Sequence, residues 1–423
     1  MRALKNALCA MLFCAVGGCI RLPPVADFSH AVTANGATAT VPVTLDDNRV
    51  FVEIAFVRPD GGTRKALAWI NQGQGGLVLS NALYRELDPQ KTLRLRIGTL
   101  DIAVDAAAVQ PESIANDATI SLDPFAGPPS ARDAAKGPGG EMAAFAAPMP
   151  VEAILPPGLL QHFVVTFDYG AKTLTLAPAG GAQPEGTPVP IRVDPCTGFA
   201  MLDVTIDGTP HVFVLDDGGS YSGIRDADPL TKAHPDWLRA SGGVGPANLV
   251  MQASDIAPVV KVPRVRAGAL SLDDVGLIQM GSGVVGRLFF DRIYSVKAGE
   301  TVDGMIGGNV LGRYRLTIDY PARMTYWQAV APADTHDLDQ VGLVLQRDHV
   351  HTTIAAVAQK NGTDTVAGVA EGDALLAIDG AGTATMTRGE LHAALHGTPG
   401  TRRHLWLERD GRRFTVDVPV TAF

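Results

Sequence analysis

Asp216 and Asp217 close the apolar run HVFVL at 211–215, and Gly218 and Gly219 follow before the chain turns apolar again. An ionised carboxylate drawn out of water is costly unless something pairs with it. An acid at the end of a run that reads as a buried strand therefore calls for a reason, and acid–base chemistry supplies one, because a positioned carboxylate can take or give a proton. Gly218 allows the backbone to turn tightly and present the acid to a cleft. An extended run with the same ending occurs earlier, where ALAWI at 66–70 leads into Asn71, Gln72 and Gly73. The glycine is kept there and the acid is not. An amide is nearly isosteric with a carboxylate and can hydrogen-bond to one, but it cannot serve as the base or hold a shared proton.

The elements around these two turns also come in pairs. VTFDYGAKTLTL at 165–176 and LTIDYPARMTYW at 316–327 each alternate apolar and polar residues on both sides of an Asp-Tyr turn, which predicts a β-hairpin in each copy. Ahead of them stand EAILPPGLLQHF at 152–163 and DGMIGGNVLGRY at 303–314. Asp168 and Asp319 are 151 positions apart, and Asn71 and Asp216 are 145 apart, so one β-rich unit is present twice with a short insertion. The units span residues 40–178 and 190–330, with a Pro- and Gly-rich linker over 179–189.

On these residues the chain resembles the aspartic protease superfamily in its bacterial, retropepsin-like form. Asp216-Asp217-Gly218 stands at that family's Asp-Thr/Ser-Gly, and Met305-Ile306-Gly307 at its hydrophobic-hydrophobic-Gly element. The resemblance implies a mainly β, two-lobed acid-protease fold whose lobes each present one carboxylate, the pair sharing a proton and activating water. Asn71 marks the position of the lost first acid, Asp217 replaces the supporting hydroxyl, and Pro156-Pro157 interrupts the glycine element of the first lobe. Two functions stay open at this point: a peptide-binding pseudoprotease, and an active aspartic endopeptidase that uses Asp216 in a homodimer or with a second acid.

Residues 337–423 change pattern. VGLVLQRD and HTTIAAVAQ read as strands, MTRGELHAALHG at 386–397 has helical spacing with a glycine stop, and Asp410-Gly411 turns a hairpin. This order resembles a bacterial, circularly permuted PDZ domain, most clearly in GVAEGDALLAIDG at 368–380. The resemblance implies capture of an extended peptide or a protein C-terminus at Gly342, Leu343, Val344 and Leu345.

At the N-terminus, MRALKN carries positive charge and ALCAMLFCAVGG is apolar but too short to span a bilayer, so residues 1–18 read as an export signal. Val16-Gly17-Gly18-Cys19 resembles the lipobox of bacterial lipoproteins, which implies lipidation of Cys19, a tether over 19–39, and attachment to the periplasmic face of a membrane. Ile20, rather than Asp, points to the outer membrane by the same resemblance. Cys9 and Cys14 lie in the signal, leaving Cys196 without a disulfide partner.

The 423 residues carry a formal net charge of -9 and no basic cluster, which argues against nucleic-acid binding. No cofactor or metal is expected. His349 and His351, and His392 and His396, lack accompanying thiolates or clustered acids and read as surface histidines. GSGVVG at 281–286 matches a dinucleotide fingerprint, but the surrounding repeat is antiparallel in character, and a loop near the cleft is expected instead. Trp69 and Tyr221 read as core or rim residues, and 123–148 as a long flexible insertion.

Overall fold

The computed structural model describes residues 26–35, 37–115, 120–121, 141–143, 150–181, 184–241, 251–252, 258–279, 283–348 and 351–423. The export signal, Cys19, His349 and all of the 123–148 insertion except 141–143 lie outside the described residues. The chain is mainly β.

Lobe one begins with a hairpin of β1 (Arg49–Val57) and β2 (Thr63–Ile70), then β3 (Leu77–Ser80), α1 (Asn81–Leu87), β4 (Thr92–Ile97), β5 (Leu100–Asp105) and β6 (Val109–Ala115). TLRLRI in β4 buries every second side chain, as a strand with one face on a core must. After β6 come β7 (Val151–Leu155) and α2 (Pro157–Leu160). β7 inserts between β2, to which it is parallel, and β3, to which it is antiparallel, while β3 runs parallel to β6. The lobe closes with β8 (Val164–Asp168) and β9 (Thr173–Ala177).

Lobe two repeats this order. The hairpin is β10 (Ala200–Ile206) with β11 (Thr209–Leu215), followed by β12 (Ser222–Ile224), α3 (Asp228–Ala233), β13 (Val259–Ala267) and β14 (Leu270–Gln279). Next come α4 (Gly283–Ile293), α5 (Ser295–Ala298), β15 (Gly304–Ile306), α6 (Gly308–Leu311), β16 (Tyr314–Asp319) and β17 (Met324–Ala329). β15 inserts between β11 and β12 as β7 does between β2 and β3, and β12 runs parallel to β14. Pairing of β10 with β13 closes these strands into a barrel. In this correspondence α4 and α5 occupy the stretch that in lobe one lies between β6 and β7.

The lobes share a floor. β8 and β16 pair antiparallel with Thr166 opposite Thr317 at the midpoint, their hydroxyls 2.8 Å apart, so the molecular pseudo-twofold passes through two residues 151 apart. Thr187–Pro190 pairs with β17 at one edge of this sheet, and Val189 is buried. The last residues of the expected linker are therefore a strand, which its prolines tolerate because it lies at an edge. The expected tether is likewise built into the body from residue 26: Phe28 is fully buried, Val32–Asn35 pairs with β5, and Ala39–Pro42 with β9.

The C-terminal unit contains β18 (Leu343–Asp348), β19 (His351–Val357), β20 (Ala374–Ile378), α7 (Arg388–Leu395), β21 (Arg402–Arg409) and β22 (Arg412–Pro419). β18 is an edge strand. Leu343, Leu345, Ile354, Leu391, Leu395 and Leu405 form a core separate from that of the lobes. Thr387 and Glu390 make a reciprocal capping box at the start of α7.

Candidate active site

The structure brings the turn after β2 against the turn after β11. Asn71 Oδ1 accepts from the Gly73 N–H at 2.8 Å, and Asp216 Oδ1 accepts from the Gly218 N–H at 3.0 Å. The Gly73 N–H also reaches across to Asp216 Oδ1 at 3.0 Å, and the Gln72 N–H donates to Asp217 Oδ1 at 3.2 Å. Both glycines are required sterically. A Cβ on Gly218 would lie 2.4 Å from Asn71 Cγ, and one on Gly73 would lie 2.5 Å from Asp216 Oδ2. The β7 and β15 insertions support the turns from below, through the Asn71 N–H to Leu155 O and the Asp216 N–H to Ile306 O.

Asp216 is 3% exposed. α4 and α5 cover it. The Tyr294 hydroxyl, between these helices, donates to Asp216 Oδ2 at 2.7 Å and also lies 2.7 Å from Met305 Sδ. From α5, Lys297 Nζ donates across the lobes to Gly73 O at 2.9 Å. A carboxylate offers about four acceptor positions. Two backbone N–H groups and one phenol occupy three of them, with almost no surface left for a water molecule.

Burial raises the pKa of Asp216, against the lowering effects of the Tyr294 hydroxyl, the Gly218 and Gly73 amides and the Lys297 charge. Asp217 is pushed well above the usual carboxylate range, first by burial and then by the neighbouring Asp216 charge. Asp217 Oδ2 and Gln72 Oε1 are buried without a protein partner. Burial pulls Lys297 down to about 8 despite the opposing pull of Asp216 and Glu112, while burial raises Glu112 against the Lys297 charge. The site thus holds Asp216 with an amide opposite it, a second enclosed acid, Asp217, beside it on the same turn, and a lysine at the edge.

The remaining sequence candidates fall elsewhere. Gly342, Leu343, Val344 and Leu345 are all buried. The N–H groups of Val341 and Leu343 are taken by Leu395 O and Val341 O, and a Cβ on Gly342 would lie 2.2 Å from Thr365 Oγ1. His392 and His396 are not free surface groups: His392 Nδ1 lies 2.7 Å from Asp47 Oδ1, and His396 Nε2 lies 2.9 Å from the His336 carbonyl. Trp69 and Tyr221 are buried, and Cys196 is exposed and free. The expected loop at 281–286 is corrected, because a helix runs from Gly283. Its buried residues Gly286, Phe290, Tyr294 and Ala298 recur every fourth position into α5, a spacing visible in the sequence. Tyr294, Lys297 and Glu112 were missed because nothing near them in the sequence marks the acid they serve.

No protein-family model matches the chain, and no curated protein matches it either. Among solved structures, a photosystem II D1 C-terminal processing protease is similar over 20% of this chain and 23% of its own, with 18% identity and a TM-score of 0.18. The chain therefore spans less than a quarter of that protein's length.

Proposed function

We propose that the chain is a lipid-anchored, retropepsin-like pseudoprotease of the periplasmic face of the outer membrane, whose C-terminal PDZ-like unit binds extended peptides along the β18 edge. The reading rests on one observation above all: Asn71 faces Asp216 where a second acid would be needed, and the remaining acid is enclosed. Asn71 cannot share a proton with Asp216 or donate one to a scissile carbonyl while Asp216 acts as base, and the second acid of the site, Asp217, is on the same turn as Asp216 rather than opposite it, 1% exposed with Oδ1 on the Gln72 N–H. Pairing of two Asp216 residues in a homodimer loses support, because this side chain is already bonded to Gly73 and Tyr294 of its own chain.

The test is incubation of the purified protein and Asp216→Ala with dye-labelled denatured casein at pH 4 and pH 7. Both proteins should release no more dye than buffer does. Cleavage by the wild type that disappears in Asp216→Ala would overturn the pseudoprotease reading in favour of an active endopeptidase. Binding is checked separately by fluorescence anisotropy with labelled peptides ending in a free apolar carboxyl residue.

A further inference from the structure

α4 and α5 have two faces with different consequences. In the buried inward series Gly286, Phe290, Tyr294, Ala298, the last three pack on Phe199, Met201, Val214 and Met305, and Tyr294 holds the cover on Asp216. Offset by two residues, the outward series is Val284, Leu288, Arg292, Val296. Val284 and Leu288 are each 63% exposed and Val296 is 55% exposed, and Arg292 between them is exposed as well. Among the described residues, half of the exposed large hydrophobics are on this one short segment, so the stripe is not the scatter of single apolar residues that any surface shows.

The position of the stripe argues for its occupant. The Ala26 N–H donates to Gly75 O at 3.3 Å, and a Cβ on Gly75 would lie 3.3 Å from Lys297 Cδ of α5. The chain therefore enters the folded body beside the helix pair that covers the site. If Cys19 is lipidated, the six residues 20–25 reach at most about 20 Å. A body held that closely must turn this end toward the lipid. A row of three aliphatic side chains with an arginine among them suits the boundary between acyl chains and anionic headgroups.

We infer that the outer face of α4 and α5 lies on the bilayer, so that the cover of Asp216 is also a membrane-contact surface. The inference rests on the lipid-anchor part of the proposed function, and the experiment separates the two. In a Cys196→Ser background, a polarity-sensitive dye is attached either at Leu288→Cys or, as a control, at Arg412→Cys, the exposed first residue of β22. The full chain is reconstituted on vesicles of phosphatidylethanolamine and phosphatidylglycerol, and acylation of Cys19 is read by mass spectrometry of the N-terminal peptide.

With Cys19 acylated, a blue shift and intensity gain at position 288 and none at 412 support the inference. An acylated chain with no shift at 288 overturns the inference and leaves the anchor reading standing. Equal shifts at both positions also overturn it, as general adsorption. A shift at 288 that grows with protein concentration without vesicles overturns it in favour of a second copy covering the stripe. An unmodified Cys19 overturns the anchor reading, and with it the basis for placing this face on the bilayer.

Discussion

Asp217 sits where an acid is most expensive, enclosed between the two turns with Oδ1 on the Gln72 N–H and Oδ2 without a protein partner. Burial and the neighbouring Asp216 raise its pKa well above the unfolded value, so the native state binds a proton that the unfolded chain has released over the intervening pH range. The stabilising contribution of that proton is complete below about pH 4, the unfolded value, and is lost as pH rises toward the native pKa. Asp217→Asn keeps an acceptor for Gln72 and cannot ionise. The variant's melting temperature relative to wild type should therefore rise between pH 4 and pH 7, as measured by differential scanning calorimetry. A difference that stays constant over that range would mean that Asp217 does not hold a proton that the unfolded chain releases. Asp216 itself was legible from its place after an apolar run, and Asn71 from the repeat. Their cover was not, because Tyr294 lies 78 positions from Asp216 in the sequence and the hydrogen bond between them depends on tertiary packing.

The paired hairpins were readable because each carries strict alternation through an Asp-Tyr turn, and the structure pairs them with each other through Thr166 and Thr317. The stretch after β14 was harder, because a glycine-rich start at 281–286 suggested a loop while the buried positions recur at every fourth residue. That two-faced pattern has a measurable consequence. Phe290 is fully buried among Tyr294, Met201 and Val214, so Phe290→Ala should cost about 3–5 kcal/mol of unfolding free energy through lost transfer energy and the cavity left behind. Leu288, two residues away and largely exposed, should change stability by no more than about 0.5 kcal/mol on substitution by alanine. Urea unfolding of the two variants decides the matter. Similar losses at both positions would contradict an amphipathic cover whose outer face packs against nothing within the chain.

The C-terminal unit has its own core, yet it joins the lobes through buried charge at the turn before β1. Asp46 Oδ1 accepts from the Thr387 hydroxyl at 2.5 Å and the Gly389 N–H at 3.1 Å, so lobe one caps α7. Asp47 Oδ2 lies 2.5 Å from Arg388 Nε and accepts from the Ser220 hydroxyl at 2.6 Å, and Asp47 Oδ1 lies 2.7 Å from His392 Nδ1. One carboxylate thus ties α7 to lobe one and to the loop that carries Asp216. Burial alone would raise the Asp47 pKa, but His392 and Arg388 outweigh it and hold the carboxyl well below its ordinary value. Nothing in the sequence announced this junction, since Asp47 and Arg388 are 341 positions apart and each looks like an ordinary surface charge. Asp47→Asn preserves the residue class that tolerates the positive φ of 53° at this turn, and it removes only the charge. It leaves Arg388, 1% exposed, without its counter-ion, a change that costs about 3–5 kcal/mol at buried pairs. The loss should appear as a split urea transition in which the C-terminal unit unfolds before the lobes, with an Asp-specific endoproteinase cutting the 331–337 connection at Asp334 at concentrations that spare the wild type. A single transition with an unchanged midpoint would show that the two cores are joined elsewhere. The first place to look would then be Asp337, which Lys261 holds at 2.9 Å and Asn309 Nδ2 also holds at 2.9 Å.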